Sequence, residues 1–195
     1  MGIRVTDSIK RRIFVALLAV GMPSGVAYMA TTSTVESEGF MLERHLDPVG
    51  KVTTGIGHLV QKGEVSKPVY TEQEVIDTFV IDWVKHDALM RSKVKVPFKS
   101  EWMRWAFADF TFNKGSTNFS TSSLLKELNA GRYEIACDKL TDWVYGTVNG
   151  KKVKLKGLER RASKQWKACM GEVPDNYQYD VNRWTGGTNE AKTNP

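Results

Sequence analysis

The sequence predicts a mixed fold, mostly helical with one glycine-rich β-hairpin, and three observations carry that prediction. Glycines cluster at Gly50, Gly55 and Gly57 behind Asp47-Pro48, where a helix cannot readily continue and tight turns need them. Apolar residues recur at helical spacing in separate stretches from Thr71 onward, each bounded by capping or breaking residues. No internal repeat is evident, so a chain of 195 residues has room for one domain with its own core plus extensions.

The first element is apolar. Arg4, Lys10, Arg11 and Arg12 precede an uncharged stretch from Ile13 to Ser33, and Asp7 is the only acid before Glu36. The positive-inside rule keeps such a basic flank in the cytoplasm and puts the chain after residue 33 across the membrane. Three readings fit. One is a cleavable signal peptide, with Gly25-Val26-Ala27 at the cleavage position. Another is an uncleaved hydrophobic helix that spans the bilayer. The third is a weak anchor, because Gly21, Pro23, Ser24, Gly25, Thr31, Thr32 and Ser33 dilute the apolar residues. A buried core helix fits less well, since Pro23 interrupts the run and basic residues abut it.

Val35 to Leu46 then reads as a helix stopped by Asp47-Pro48, with Val49-Gly50 as the turn into the hairpin. Thr71-Glu72-Gln73-Glu74 has the form of a capping box and opens a helix to about Met90, whose apolar positions include Val75, Ile76, Phe79, Val80, Trp83 and Val84. Ser100 to Asn113 is rich in aromatics (Trp102, Trp105, Phe107, Phe110, Phe112) and reads as a core helix. Lys114-Gly115-Ser116 is a turn, and Ser120 or Thr121 caps a helix through Leu128 that Asn129-Ala130-Gly131 stops. Tyr133 to Trp143 reads as a helix, Tyr145 to Lys156 as a basic loop, and Leu158 to Met170 as the last helix. From Gly171 the chain turns polar without periodicity, which predicts a poorly ordered tail over 172–195. The expected organisation is an address segment over 1–33, a catalytic domain over 34–171, and that tail.

Composition narrows the partners. Hydrophobic residues at 41% and charged residues at 26% exclude a disordered chain and a multi-span membrane protein. A formal net charge of +6 suits an anionic polymer: nucleic acid, an acidic membrane surface or a cell wall. No helix-turn-helix, zinc finger or basic-aromatic RNA-binding motif is visible, which sets nucleic acid aside. Cys137 and Cys169 would form a disulfide in an exported protein and remain buried thiols in a cytosolic one. The bridge is the expected state, closing a loop of about 30 residues and contributing about 3 kcal/mol in the chain-entropy account. His45, His58 and His86 show no metal-ligand spacing, and His58 reads as a hydrogen-bonding prop.

The chemistry is concentrated in one run. Glu38-Gly39, Asp47, Thr53 and Thr54-Gly55-Ile56-Gly57-His58 set an acid, a second carboxylate and a hydroxyl on neighbouring elements. Cleaving a glycosidic bond needs one carboxyl that protonates the leaving oxygen and an ionised group that supports the attack of water. Singly, each residue has a plain structural reading: Asp47 before Pro48 caps a turn, and Thr53 is an ordinary strand threonine.

These residues resemble the catalytic signature of phage lysozymes, glycoside hydrolase family 24. Phe112-Asn113-Lys114-Gly115, the Asn129-Ala130-Gly131 break, Trp143-Val144-Tyr145 and Gly157-Leu158-Glu159-Arg160-Arg161 match later blocks in the same order, over about Glu36 to Met170. The resemblance implies an α+β, lysozyme-like fold: a small lobe carrying the hairpin, a larger helical lobe, a cleft between them, and an N-terminal hydrophobic helix. It implies hydrolysis of the bond from N-acetylmuramic acid to N-acetylglucosamine in peptidoglycan, by a monomer without metal or organic cofactor. Glu38 would be the general acid, kept protonated near neutrality by partial burial. Asp47 would stay ionised, and Thr53 would help hold the attacking water. Arg161 matches the arginine that pairs with the catalytic glutamate, and Asn113 and Trp143 match positions lining the cleft. Residues 10–33 resemble a signal-arrest-release segment, although the cysteine that some such segments carry is missing here. That resemblance implies tethering at the host inner membrane, then release to the periplasm. Rival expectations are a wall-binding module without activity and a lytic transglycosylase.

Overall fold

The computed structural model describes residues 3–46, 50–148 and 150–187. Helix α1 (Asp7–Ala19) is capped by the Thr6 hydroxyl, which accepts from the Ile9 amide at 3.3 Å. Its apolar stripe, Ile9, Ile13, Phe14 and Leu17, is buried. The chain then turns at Gly21 (φ +82°) and restarts as α2 (Ser24–Met29) behind Pro23. A π-register segment (Ala30–Thr34) and α3 (Val35–Glu38) follow without leaving right-handed backbone. The apolar stretch is thus not one hydrophobic helix, and no helix among the described residues is long and apolar enough to cross a membrane. Pro23 is accommodated because it precedes α2 rather than interrupting a helix, and Val26, Ala27, Tyr28 and Met29 join the core.

Gly39, at φ +79°, ends α3 immediately after Glu38, so the helix expected over Val35 to Leu46 stops eight residues early. Met41–Leu46 instead forms β1, which pairs antiparallel with β2 (Val52–Gly55), with His45 opposite Thr53. A tight turn through Ile56 and Gly57 leads to β3 (His58–Leu59), where Thr54 faces His58. This three-stranded sheet is the small lobe.

The larger lobe is helical. Helix α4 (Glu72–Arg91) carries the expected capping box, with Thr71 and Glu74 bonded reciprocally, and buries Val75, Ile76, Phe79, Val80, Trp83 and Met90. Central helix α5 (Glu101–Lys114) is capped by Ser100 and buries Trp105, Phe107 and Phe110; Trp102 and Phe112 are half-buried at its flanks. Helix α6 (Ser116–Thr121) precedes α7 (Ser123–Asn129), whose cap is Ser122 rather than Ser120 or Thr121. Helix α8 (Tyr133–Asp138) tightens into a 3₁₀ turn over Lys139–Asp142. The stretch expected as a basic loop is a hairpin, β4 (Tyr145–Val148) with β5 (Lys151–Lys154). Helix α9 (Lys156–Cys169) ends at the Cys137–Cys169 disulfide, which ties it to α8 across a separation of 32 residues.

The polar C-terminal stretch departs most from expectation. Residues Tyr177–Thr185 form α10, not a loose tail. Trp184 is 2% exposed, with its ring centroid 5.3 Å from Phe14 and 5.7 Å from Tyr28. Tyr177 meets Tyr28 edge-on and bonds Ser24, and Asp180 accepts from the Tyr28 hydroxyl at 3.1 Å. Arg183 pairs with Asp7 at 2.7 Å, and Arg11 donates to the Trp184 carbonyl at 2.9 Å. Helix α10 is ordered because it covers α1 and α2; residues 188–195 lie outside the described residues.

His58 clamps the small lobe to α4. Its Nδ1 lies 2.6 Å from Asp82 and its Nε2 2.8 Å from Glu64, so both ring nitrogens donate and the imidazole is cationic. The Asp82 hydrogen bond, against partial burial and aided by Glu64, raises its pKa from 6.5 to about 9. A raised folded-state pKa contributes stability that is complete below about pH 6.5 and lost as pH rises through about 9. His58→Gln should therefore cost about 3 kcal/mol at pH 6 and little at pH 10, measured by denaturant unfolding across pH. An equal cost at both pH values would show that His58 acts by packing alone.

Candidate active site

Glu38 is the last residue of α3, and its position is set from three sides. The turn after β2 passes directly over it: a Cβ on Gly57 would come within 2.7 Å of Glu38 Oε2. Glycine at 57 thus serves both this close approach and its φ of +71°. From α9, Arg161 donates through Nη1 to Glu38 Oε1. The open side of Glu38 faces a cleft of about 1150 Å³ between α3, the end of α5, and the β5–α9 junction. The Glu38 side chain is 19% exposed and that of Arg161 is 6% exposed, so the carboxyl is reachable while its partner is sealed.

Arg161 is buried beneath that cleft. Its Nε and Nη2 each donate to Asp109 of α5 at 2.8 Å, a two-pronged contact. Asp109 is 1% exposed and also accepts from Gln165 at 2.7 Å and from the Thr34 hydroxyl at 2.7 Å. Thr34 in turn accepts from the Trp105 indole at 3.2 Å. Burial disfavours the Arg161 charge, but Asp109 and Glu38 overcome it and hold the guanidinium above its usual pKa. At the end of α5, burial first and then Arg161 push the Lys114 pKa down, while Glu38 opposes them.

The residues singled out from sequence separate into groups. Glu38, Asn113 and Arg161 line the cleft together. Thr53 sits on β2, nearly buried, between His45 and Leu59 in the sheet; its hydroxyl donates to the Lys51 carbonyl at 3.4 Å. His58 faces α4 rather than the cleft, and Trp143 packs edge-on against Phe110 with centroids 5.0 Å apart. Asp47 lies outside the described residues. The sequence reading missed Asp109, Thr34 and Gln165. A usable signal exists for two of them: Asp109 is the lone charge in the apolar run Ala106 to Phe112, and Gln165 lies one turn after Arg161.

The α9 wall carries Lys156, Arg160, Lys164 and Lys167, with Lys164 paired to Glu36 at 3.0 Å across the rim. A partly exposed, cation-held carboxyl thus opens into a long basic cleft that suits an anionic polymer.

The phage lysozyme family model matches residues 35–165. Among related sequences, the SAR-endolysin of Escherichia phage Mu is 32% identical over 157 residues, covering 78% of this chain and 88% of that protein. An endolysin of Acyrthosiphon pisum secondary endosymbiont phage 1 is 35% identical over 127 residues, covering 64% and 83%. Among solved structures, the active form of P1 phage endolysin Lyz superposes with a TM-score of 0.66 at 20% identity, over 90% of this chain and 99% of that one. The endolysin of Escherichia coli O157:H7 phage FAHEc1 gives 0.65 at 24% identity, over 89% and 98%. These two likenesses concern the fold, which is lysozyme-like with a helical part and a small sheet. With a family match across two thirds of its length, which takes in Glu38 and Arg161, the chain belongs to the phage lysozyme family.

Proposed function

We propose that this protein is a phage endolysin, a muramidase of glycoside hydrolase family 24, in which Glu38 is the general acid. It hydrolyses the β-1,4 bond between N-acetylmuramic acid and N-acetylglucosamine and so opens the host wall at the end of infection. The observation that carries the reading is the Glu38 carboxyl beneath the Gly57 turn, bonded to Arg161 and open to the cleft. Glu38 gives its proton to the leaving oxygen as the sugar gains oxocarbenium character. Asp47 supports that charge, and Thr53 holds the water that attacks the opposite face, giving inversion in a single displacement. Asn113 bonds the N-acetyl groups. Glu38→Gln should abolish release of reducing ends from purified peptidoglycan, with the circular dichroism spectrum unchanged. Hydrolysis at the wild-type rate would contradict the assignment, and anhydro products from the wild type would make it a lytic transglycosylase instead.

The N-terminal segment gives the enzyme two sites of residence. Residues 10–33 tether it, N-terminus in, to the inner membrane, and on release the same residues dock as α1 and α2. The docked form supports this reading because it buries the apolar stripe of α1 and engages the basic flank: Arg12 pairs with Glu72 at 2.6 Å and Arg11 bonds the α10 backbone. Arg4, Lys10, Arg11 and Arg12, less Asp7, leave three positive side-chain charges on the flank. An inside-negative potential opposes their outward passage by about 2.3 kcal/mol per charge per 100 mV, which depolarisation removes. Gly21→Leu should hold the protein in the membrane fraction: leucine strengthens the span and is strained at φ +82° in the docked form. Full-length Gly21→Leu protein in the soluble periplasm, identified by mass spectrometry, would contradict release. Loss of about 27 residues from the wild type would make the segment a signal peptide.

A further inference from the structure

We infer that Asp109 is a positioning residue for the acid: it fixes Arg161 with both carboxylate oxygens and offsets its charge, so that Glu38 can carry a proton while bonded to the guanidinium. The inference rests on the reading of Glu38 as general acid. Asp109 accepts from Arg161 Nε, Arg161 Nη2, Gln165 Nε2 and Thr34 Oγ1. The Thr34 hydroxyl donates to Asp109 Oδ1 and accepts from the Trp105 indole. Every neighbour is a donor, so the geometry calls for a carboxylate at 109. At 1% exposure its charge is screened little by water.

The charge count gives the consequence. Arg161 and Asp109 sum to zero, so the group is neutral with Glu38 protonated and carries one negative charge with Glu38 ionised. Without Asp109, losing the Glu38 proton would be the step that neutralises a buried cation. Among the described residues the remaining charged neighbours are few. Lys114 acts from the end of α5, Glu36 on α3 is paired with Lys164 of α9, and the turn above presents Gly57 with no side chain. Glu38 Oε1 accepts from Arg161, which leaves Oε2, on the Gly57 side, for the proton.

The test is the pH profile of kcat/KM on purified peptidoglycan for wild type, Asp109→Asn, and the charge-neutral pair Asp109→Asn with Arg161→Met. The alkaline limb of Asp109→Asn should move down by about 1 pH unit or more, because the unbalanced guanidinium favours ionised Glu38. The paired variant should be slower but keep its limb within about 0.5 unit of wild type, since it removes no net charge. Activity of Asp109→Asn lowered equally at all pH values would reduce Asp109 to a structural role and overturn the inference. Should Asp109→Asn fail to fold, the pair decides alone: a limb raised by more than about 1 unit would show that Arg161 acts on Glu38 without compensation. An inactive Glu38→Gln beside an unmoved Asp109→Asn limb sinks only the role of Asp109. A Glu38→Gln enzyme that still lyses walls sinks the acid assignment itself.

Discussion

The site depends on one buried cation. Arg161, 6% exposed in its side chain, is held between Asp109 and Glu38, and a guanidinium so placed is tolerable only because carboxylates flank it. That requirement ties together three elements distant in sequence: α3 with Glu38, α5 with Asp109, and α9 with Arg161 and Gln165. The π-register segment before α3 belongs to the same arrangement, since it carries Thr34, whose hydroxyl bonds Asp109. The acid is therefore fixed by the packing of the whole helical lobe, while the small lobe adds a turn whose glycine leaves room for it.

Order at the termini has a related cause. Helix α1 buries its apolar stripe chiefly against the helical lobe, and α10 buries Trp184 against α1 and α2. Phe14, Tyr28 and Trp184 form their common contact, and the ion pair of Asp7 with Arg183 closes it from outside. In this fold the apolar residues of the N-terminal segment are covered by the helical lobe and by α10, so that they are not left in water.

Much of this was legible because its signals are local. The capping box at Thr71 and Glu74 and the aromatic core helix act within a few turns, and the bridge joins the two cysteines that the chain has. The strand Met41–Leu46 was not legible as one: nothing within it forbids a helix, and what decides is Gly39 at its start and its pairing to β2. Helix α10 was hidden by polar composition, although Tyr177, Val181 and Trp184 fall at positions i, i+4 and i+7. Pro23 argued against a core helix only if 13–33 had to be a single helix. The Arg161 partners are long-range, with Asp109 52 residues away and Glu38 123. No periodicity reports such a meeting.

The most direct test is a crystal structure of the Glu38→Gln protein with a peptidoglycan tetrasaccharide bound. The account predicts the central glycosidic oxygen within about 3 Å of the amide at position 38, with the glycan running along the α9 wall. A saccharide seated elsewhere on the protein, with no contact to position 38, would contradict it.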